Sequence, residues 1–116
     1  MLHELVKQNL NTCILPFWES MIDKEFGGYY GLLDFDLHLD KKAIKGCILN
    51  SRILWFFSNV YLTTRDISVL PYAEHAYEFL KTYCLDAEYG GIYWSMTYDG
   101  VIDDATKHTY NQAFAI

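Results

Sequence analysis

Basic residues are few in this chain and nowhere concentrated: nine lysines and arginines stand against fifteen aspartates and glutamates, a formal net charge of −6. Apart from Lys41-Lys42 and the nearby Lys45 none cluster, so neither a nucleic-acid backbone nor an anionic membrane finds an electrostatic partner here. That short run is expected to be a solvated loop. Long apolar runs are missing too. Glu4, Lys7 and Glu19 interrupt the first twenty residues, leaving no secretory core, and no later stretch approaches the ~20 apolar residues of a membrane span. The cytoplasm is the expected compartment. Cysteine is sparse and odd in number: Cys13, Cys47 and Cys84 fit neither a disulfide framework nor zinc-ligand spacing, and are expected to be reduced, buried small hydrophobes. The four histidines, His3, His38, His75 and His108, share no spacing that points to a metal site or a paired acid and base, and are expected at the surface.

What is abundant is aromatic. Phe, Trp and Tyr make up 17% of the residues, within a chain that is 52% hydrophobic, more than a small soluble domain usually needs to hide. They fall in a repeat. Asp-Lys-Glu-Phe-Gly-Gly-Tyr-Tyr at 23–30 returns 63 positions later as Asp-Ala-Glu-Tyr-Gly-Gly-Ile-Tyr at 86–93, and both copies run on to an aromatic-Asp pair, Phe35-Asp36 and Tyr98-Asp99. Glycine pairs between aromatics read as tight turns feeding hairpins, expected at 27–39 and 90–100. Helical spacing of apolar residues predicts helices over 2–22, kinked at Pro16, over 45–64, over 70–84 behind Pro71, and from about Thr106 onward. The second helix is apolar almost all round and is expected to be enclosed. In the third, Ala73, Ala76, Tyr77, Leu80 and Cys84 form one stripe. A unit of this kind cannot bury its own apolar face without neighbouring repeats. The chain stops inside an apolar helical run, Ala113-Phe114-Ala115-Ile116, with no capping residue, and is expected to be the N-terminal part of a longer protein.

Two polar features stand out against this background. Arg52 lies in the most apolar helix with Leu49, Trp55, Phe56 and Asn59 on its face, so its guanidinium needs either a structural carboxylate, a route to solvent or a ligand oxygen. Lys107-His108-Thr109-Tyr110-Asn111-Gln112 opens the last, otherwise apolar helix.

At these residues the chain closely resembles the N-terminal third of the N-acylglucosamine 2-epimerase family. The likeness is carried by Leu49-Asn50-Ser51-Arg52-Ile53-Leu54-Trp55 and Lys107 through Ile116, with Pro16-Phe17-Trp18, Gly27-Gly28, Asp40-Lys41-Lys42, His75-Ala76-Tyr77-Glu78-Phe79 and Glu88-Tyr89-Gly90-Gly91. It implies an all-α fold, part of an (α/α)6 barrel with short β-hairpins between helix pairs, residues 1–116 forming one end of a single catalytic domain. It also implies a reaction: inversion of C2 of a reducing-end sugar, nearest to members acting on cellobiose-type β-1,4 disaccharides, by ring opening, proton abstraction and a cis-enediolate, with no metal or redox cofactor. Arg52 matches the arginine that contacts the oxygens at C1 and C2, Tyr110 a tyrosine of the cleft, and Asn50, Asn111 and Phe114 are weaker matches to its wall. The acid/base pair is two histidines that lie beyond Ile116, so the 116-residue chain is expected to be inactive alone and to expose a large apolar patch. N-acylglucosamine and mannose are the competing substrates. Two readings from other classes are a glycoside hydrolase, which needs a carboxylate pair that Asp34, Asp36, Asp40, Glu88, Asp103 or Asp104 would have to supply, and a non-catalytic helical repeat, marked by exposed aromatics.

Overall fold

The computed structural model describes residues 1–116. It begins with a helical rod in three pieces: α1 (Leu2–Asn9), a wide π-turn (Leu10–Ile14) and α2 (Leu15–Ser20). Pro16 explains the middle piece, since it has no N–H and its ring needs room beside the preceding turn. The π-turn gives that room, and the Leu15 N–H bonds back to the Leu10 carbonyl. The predicted kink is thus a local widening of the helix.

After α2 the chain enters the first Gly-Gly segment, which differs from its expected form. The glycines close a compact loop that begins at Asp23, and isolated bridges pair Ile22 with Tyr29 and, one repeat on, Leu85 with Ile92. The hairpins proper come later than predicted: β1 (Leu32–Leu33) pairs with β2 (Leu39–Asp40), and β4 (Ser95–Met96) with β5 (Ile102–Asp104), all antiparallel. Gly28 shows why glycine is needed. Its φ is +67°, and a Cβ there would sit 2.7 Å from Cγ of Phe79.

Residues 45 and 46 were expected to open a helix, but Lys45–Gly46 forms β3, pairing with β4 in a three-stranded sheet of order β3-β4-β5. Gly46 is a poor helix former, and the Lys45 side chain is drawn to Asp23. Helix α3 then runs from Cys47 to Thr64 and ends at Arg65, whose left-handed φ of 61° lets its N–H bond the Tyr61 carbonyl. A short 3-10 turn (Ile67–Val69), capped by Asp66 Oδ1 on the Ser68 N–H, leads into α4 (Leu70–Phe79) and a second π-turn (Leu80–Cys84). The last helix, α5, spans Thr109–Ala115, starting after its predicted place because Asp104 Oδ1 holds the Thr106 N–H in a turn and Lys107 is engaged elsewhere. About half of the residues are helical, with two small antiparallel sheets.

The core forms where α3 packs on α4. Phe57 lies between Tyr29 and Tyr72, ring centroids 6.3 and 5.2 Å away, among Met21, Ile53, Val60, Val69, Ala73 and Ala76. A second cluster holds Cys47, Phe79, Leu80, Cys84, Ile92 and Met96. Cys47 and Cys84, far apart in sequence, are thus neighbours in packing, and the Cys47 thiol together with burial pushes the Cys84 thiol up. Cys13 departs from expectation and is exposed. Tyr77, placed in the α4 stripe, is 48% exposed while Ala73, Ala76, Leu80 and Cys84 are buried. Nor is α3 enclosed all round: Trp55 is 67% exposed and Leu62 58%. No helix is long and apolar enough to cross a membrane.

Candidate functional site

The repeat seen in the sequence builds the same clasp twice. In the first copy Asp23 Oδ1 accepts the backbone N–H groups of Glu25 and Phe26, and its Oδ2 accepts from Lys45 Nζ at 2.6 Å. In the second, Asp86 Oδ1 accepts from Glu88 and Tyr89, and its Oδ2 from Lys107 Nζ at 2.5 Å. Each ammonium also donates to a glycine carbonyl of its own loop, Gly27 for Lys45 and Gly90 for Lys107. Five residues after each lysine an amide side chain continues the pattern. Asn50 Oδ1 accepts the Tyr29 N–H, and Gln112 Oε1 accepts the Ile92 N–H. The loops repeat at 63 residues, the lysines and amides at 62.

Lys45 therefore corrects the expectation of a solvated loop: it is fully buried, while Lys41 and Lys42 are exposed. Burial tends to raise the Asp23 carboxyl, but the Lys45 ammonium and two backbone donors outweigh it and hold the group below its ordinary range. The Lys107 ammonium and the Tyr89 and Glu88 N–H groups take Asp86 down to about 2.

These clasps set the starting points of α3 and α5, each of which begins two residues after its lysine. The seventh residue after each lysine is Arg52 in α3 and Phe114 in α5, and the two meet, the guanidinium carbon 5.5 Å from the ring centroid. Together with Trp18, Trp55, Phe56 and Ile116 they line a cavity of about 820 Å³ between the helices, a size suited to a small organic ligand. Arg52 is its only charged side chain. The side chain is exposed, and no carboxylate stands within ion-pairing distance of it, so the structural salt bridge allowed by the sequence is not formed. None of its five N–H donors has a hydrogen-bond partner in the chain, so all are available to a ligand.

The other predicted site residues divide. Phe114 joins Arg52. Tyr110 is 53% exposed on the first turn of α5, 5.7 Å from Trp94 and 6.2 Å from His108, outside the cavity lining. Asn50 and Asn111 are completely buried and serve the backbone, Asn50 through Tyr29 and Gly46, Asn111 through the Tyr93 carbonyl. Trp18, Trp55 and Ile116 were missed as cavity residues. Spacing from Arg52 held a signal for Trp55, three positions on, but none for Trp18, which arrives from another helix.

None of the four histidines lines this cavity. His38 pairs with Asp34 on the exposed first hairpin, and His108 packs on Trp94. His75, expected at the surface, is half-buried; its Nε2 lies 2.9 Å from both the Asp23 and Gly28 carbonyls, so that nitrogen carries a proton and donates it. Carboxylates are also committed locally. Asp34 holds the His38 N–H, Asp40 the Lys42 N–H, Asp104 the Thr106 N–H, and Asp103 accepts from Ser95.

Comparison with known proteins extends this picture. The family model for N-acylglucosamine 2-epimerase matches residues 27–116. The chain is 58% identical over 116 residues to a cellobiose 2-epimerase of Eubacterium cellulosolvens, covering 100% of this chain and 29% of that protein. It is 55% identical over 111 residues to a cellobiose 2-epimerase of Ruminococcus albus, covering 96% and 28%. A crystal structure of a sugar epimerase from a ruminal bacterium superposes with a TM-score of 0.97 at 53% identity, over 99% of this chain and 30% of that one. A D-mannose isomerase structure shares the fold at a TM-score of 0.82 and 22% identity, over 96% and 28%. The chain thus spans about three tenths of the length of these relatives.

Proposed function

This chain belongs to the N-acylglucosamine 2-epimerase family, and on that footing we propose that the whole protein inverts C2 of a reducing-end sugar, with cellobiose-type β-1,4 disaccharides as substrates. Curated relatives at 55% and 58% identity, both cellobiose 2-epimerases, support that substrate class over N-acylglucosamine and mannose. The barrel follows the same line: α3 and α5 are segments of the inner wall of an (α/α)6 ring, and the exposed Trp55 and Phe114 face its interior.

The observation that carries the reading is the unpaired guanidinium of Arg52 over an otherwise apolar cavity. In the open-chain sugar, a base removes the C2 proton and the C–H electron pair moves into a C1–C2 double bond, leaving negative charge on the C1 oxygen. Reprotonation of C2 from the opposite face completes the inversion. Arg52 donates hydrogen bonds to the C1 and C2 oxygens, and its Coulombic support grows as charge develops on them. An apolar surround strengthens that interaction by excluding water. The steps are redox-neutral. The two acid/base groups are histidines that follow Ile116. The 116-residue chain by itself is then inactive. Tyr110 contributes a cleft contact from the first turn of α5, and Asn50 and Asn111 support the wall from behind. Glycoside hydrolysis has less support, since Asp34, Asp40, Asp103 and Asp104 are held in local turns away from the cavity.

Proton NMR of cellobiose in heavy water with the whole protein tests this. Deuterium at C2 together with a mannose reducing end is the expected result, and free glucose without exchange would move the protein to the hydrolases. Arg52→Ala should lower kcat by about 10²–10³-fold, the range for losing an oxyanion donor, with an unchanged melting temperature. Near-normal turnover in that variant would remove Arg52 from the mechanism.

A further inference from the structure

The two clasps differ in one respect. An ammonium has three N–H donors. Lys45 uses all of them: Asp23 Oδ2, the Gly27 carbonyl, and, at 2.8 Å, the carbonyl of Tyr98. The first two acceptors belong to its own loop. The third lies at the tip of the hairpin between β4 and β5, in the following repeat, where Thr97 and Val101 close the turn. Lys45 therefore fastens one repeat to the next.

Lys107 has the same two acceptors of its own loop, Asp86 Oδ2 and the Gly90 carbonyl, and no third one within the chain. Its side chain is 31% exposed where that of Lys45 is fully buried. The rest of the clasp is reproduced, from the aspartate turn to the amide five residues later. We propose that in the whole protein the third N–H of Lys107 donates to a backbone carbonyl at the tip of a third hairpin, 62 or 63 positions after Tyr98, so that each repeat is stapled to its successor by one buried lysine. The partner is identified by chemistry: a main-chain oxygen in a tight turn, since a second carboxylate beside Asp86 would need a charge that Lys45 does without. The acceptor at Tyr98 is likewise a carbonyl and not a side chain, so the staple makes no demand on the sequence of the receiving hairpin. This assignment is independent of the reaction catalysed.

The test uses the whole protein with 15N-labelled lysine. Ammonium proton exchange is read for Lys45, Lys107 and the exposed Lys24, with the signals assigned by Lys45→Arg, Lys107→Arg and Lys24→Arg. The staple requires Lys107 to exchange as slowly as Lys45, with Lys24 as the free reference; held by only its two acceptors here, it would exchange about tenfold or more faster than Lys45, the factor that one further hydrogen bond to a charged donor provides. A crystal structure of the whole protein should place Lys107 Nζ within hydrogen-bonding distance of a carbonyl beyond Ile116. Exchange about tenfold or more faster than that of Lys45, or a water molecule as the third partner, overturns the proposal.

Discussion

Lys45 and Asp23 form an ion pair removed from solvent on both sides, and such pairs are asymmetric in their energetics. Removing one partner leaves an uncompensated buried charge and costs about 3–5 kcal/mol, whereas replacing both by apolar groups costs far less. Lys45→Met should therefore lower the melting temperature more than the double variant Lys45→Met/Asp23→Leu does; equal losses would mean that the pair contributes only packing. Acid should act through the same carboxylates. The folded value of Asp86 is about 2, below an ordinary carboxylate near 3.9, and Asp23 is shifted the same way. Depressed folded values stabilise the native state above the unfolded value, and that contribution is lost as pH falls from about 4 toward 2. Melting temperatures should be level from pH 7 to 5 and drop below about 4, with a shallower drop in Asp86→Asn. At this scale the sequence singled out Arg52, which has no carboxylate partner in the structure, but misjudged Lys45, because a lysine three positions after Lys42 and directly behind Ala43-Ile44 gives no sign that an aspartate 22 positions earlier will enclose it.

The elements were legible in kind and less so in extent. Apolar spacing and the two prolines located the helices, since both are local signals. Hairpin boundaries were not local: β3 exists only by pairing with β4, some fifty residues away, and that tertiary demand outweighs any tendency of Lys45-Gly46 to begin the helix. The glycine pairs were found for the right physical reason yet assigned to the wrong turn, because positive φ serves an aspartate-capped loop as well as a hairpin. Two of these glycines separate the backbone requirement from the packing one. Gly90 has a φ of +75° with nothing within 4 Å of the point a Cβ would occupy, so Gly90→Ala should cost only the left-handed penalty of roughly 1–2 kcal/mol. Gly28→Ala meets that penalty and the Phe79 ring as well, and denaturant unfolding should show a distinctly larger loss. Similar losses would mean that Phe79 swings aside freely.

For the whole molecule the governing fact is how little is covered. Only 22 of 116 residues are buried, and Leu2, Leu5, Val6, Trp55, Leu62 and Phe114 are each more than half exposed, beyond what a stable monomer usually presents to water. The 116-residue chain in isolation should associate as its concentration rises, detected by light scattering, and bind a hydrophobic dye; a cooperative, monomeric melt would contradict this. Arg52 and Phe114 come together only because two repeats are superposed, which is why the sequence named both residues but gave no sign of their contact. The spacing of those repeats has a practical corollary. Loops recur at 63 residues but lysines at 62, so the stretch from glycine pair to lysine is one residue shorter in the second copy, and both anchors form in each. With both ends of that stretch pinned, engineered tags should be tolerated in its first copy, at the exposed turn 34–38 that no lysine grips, and not in its second, where Lys45 needs the turn at Tyr98; changes of length between lysine and amide should be disruptive in both.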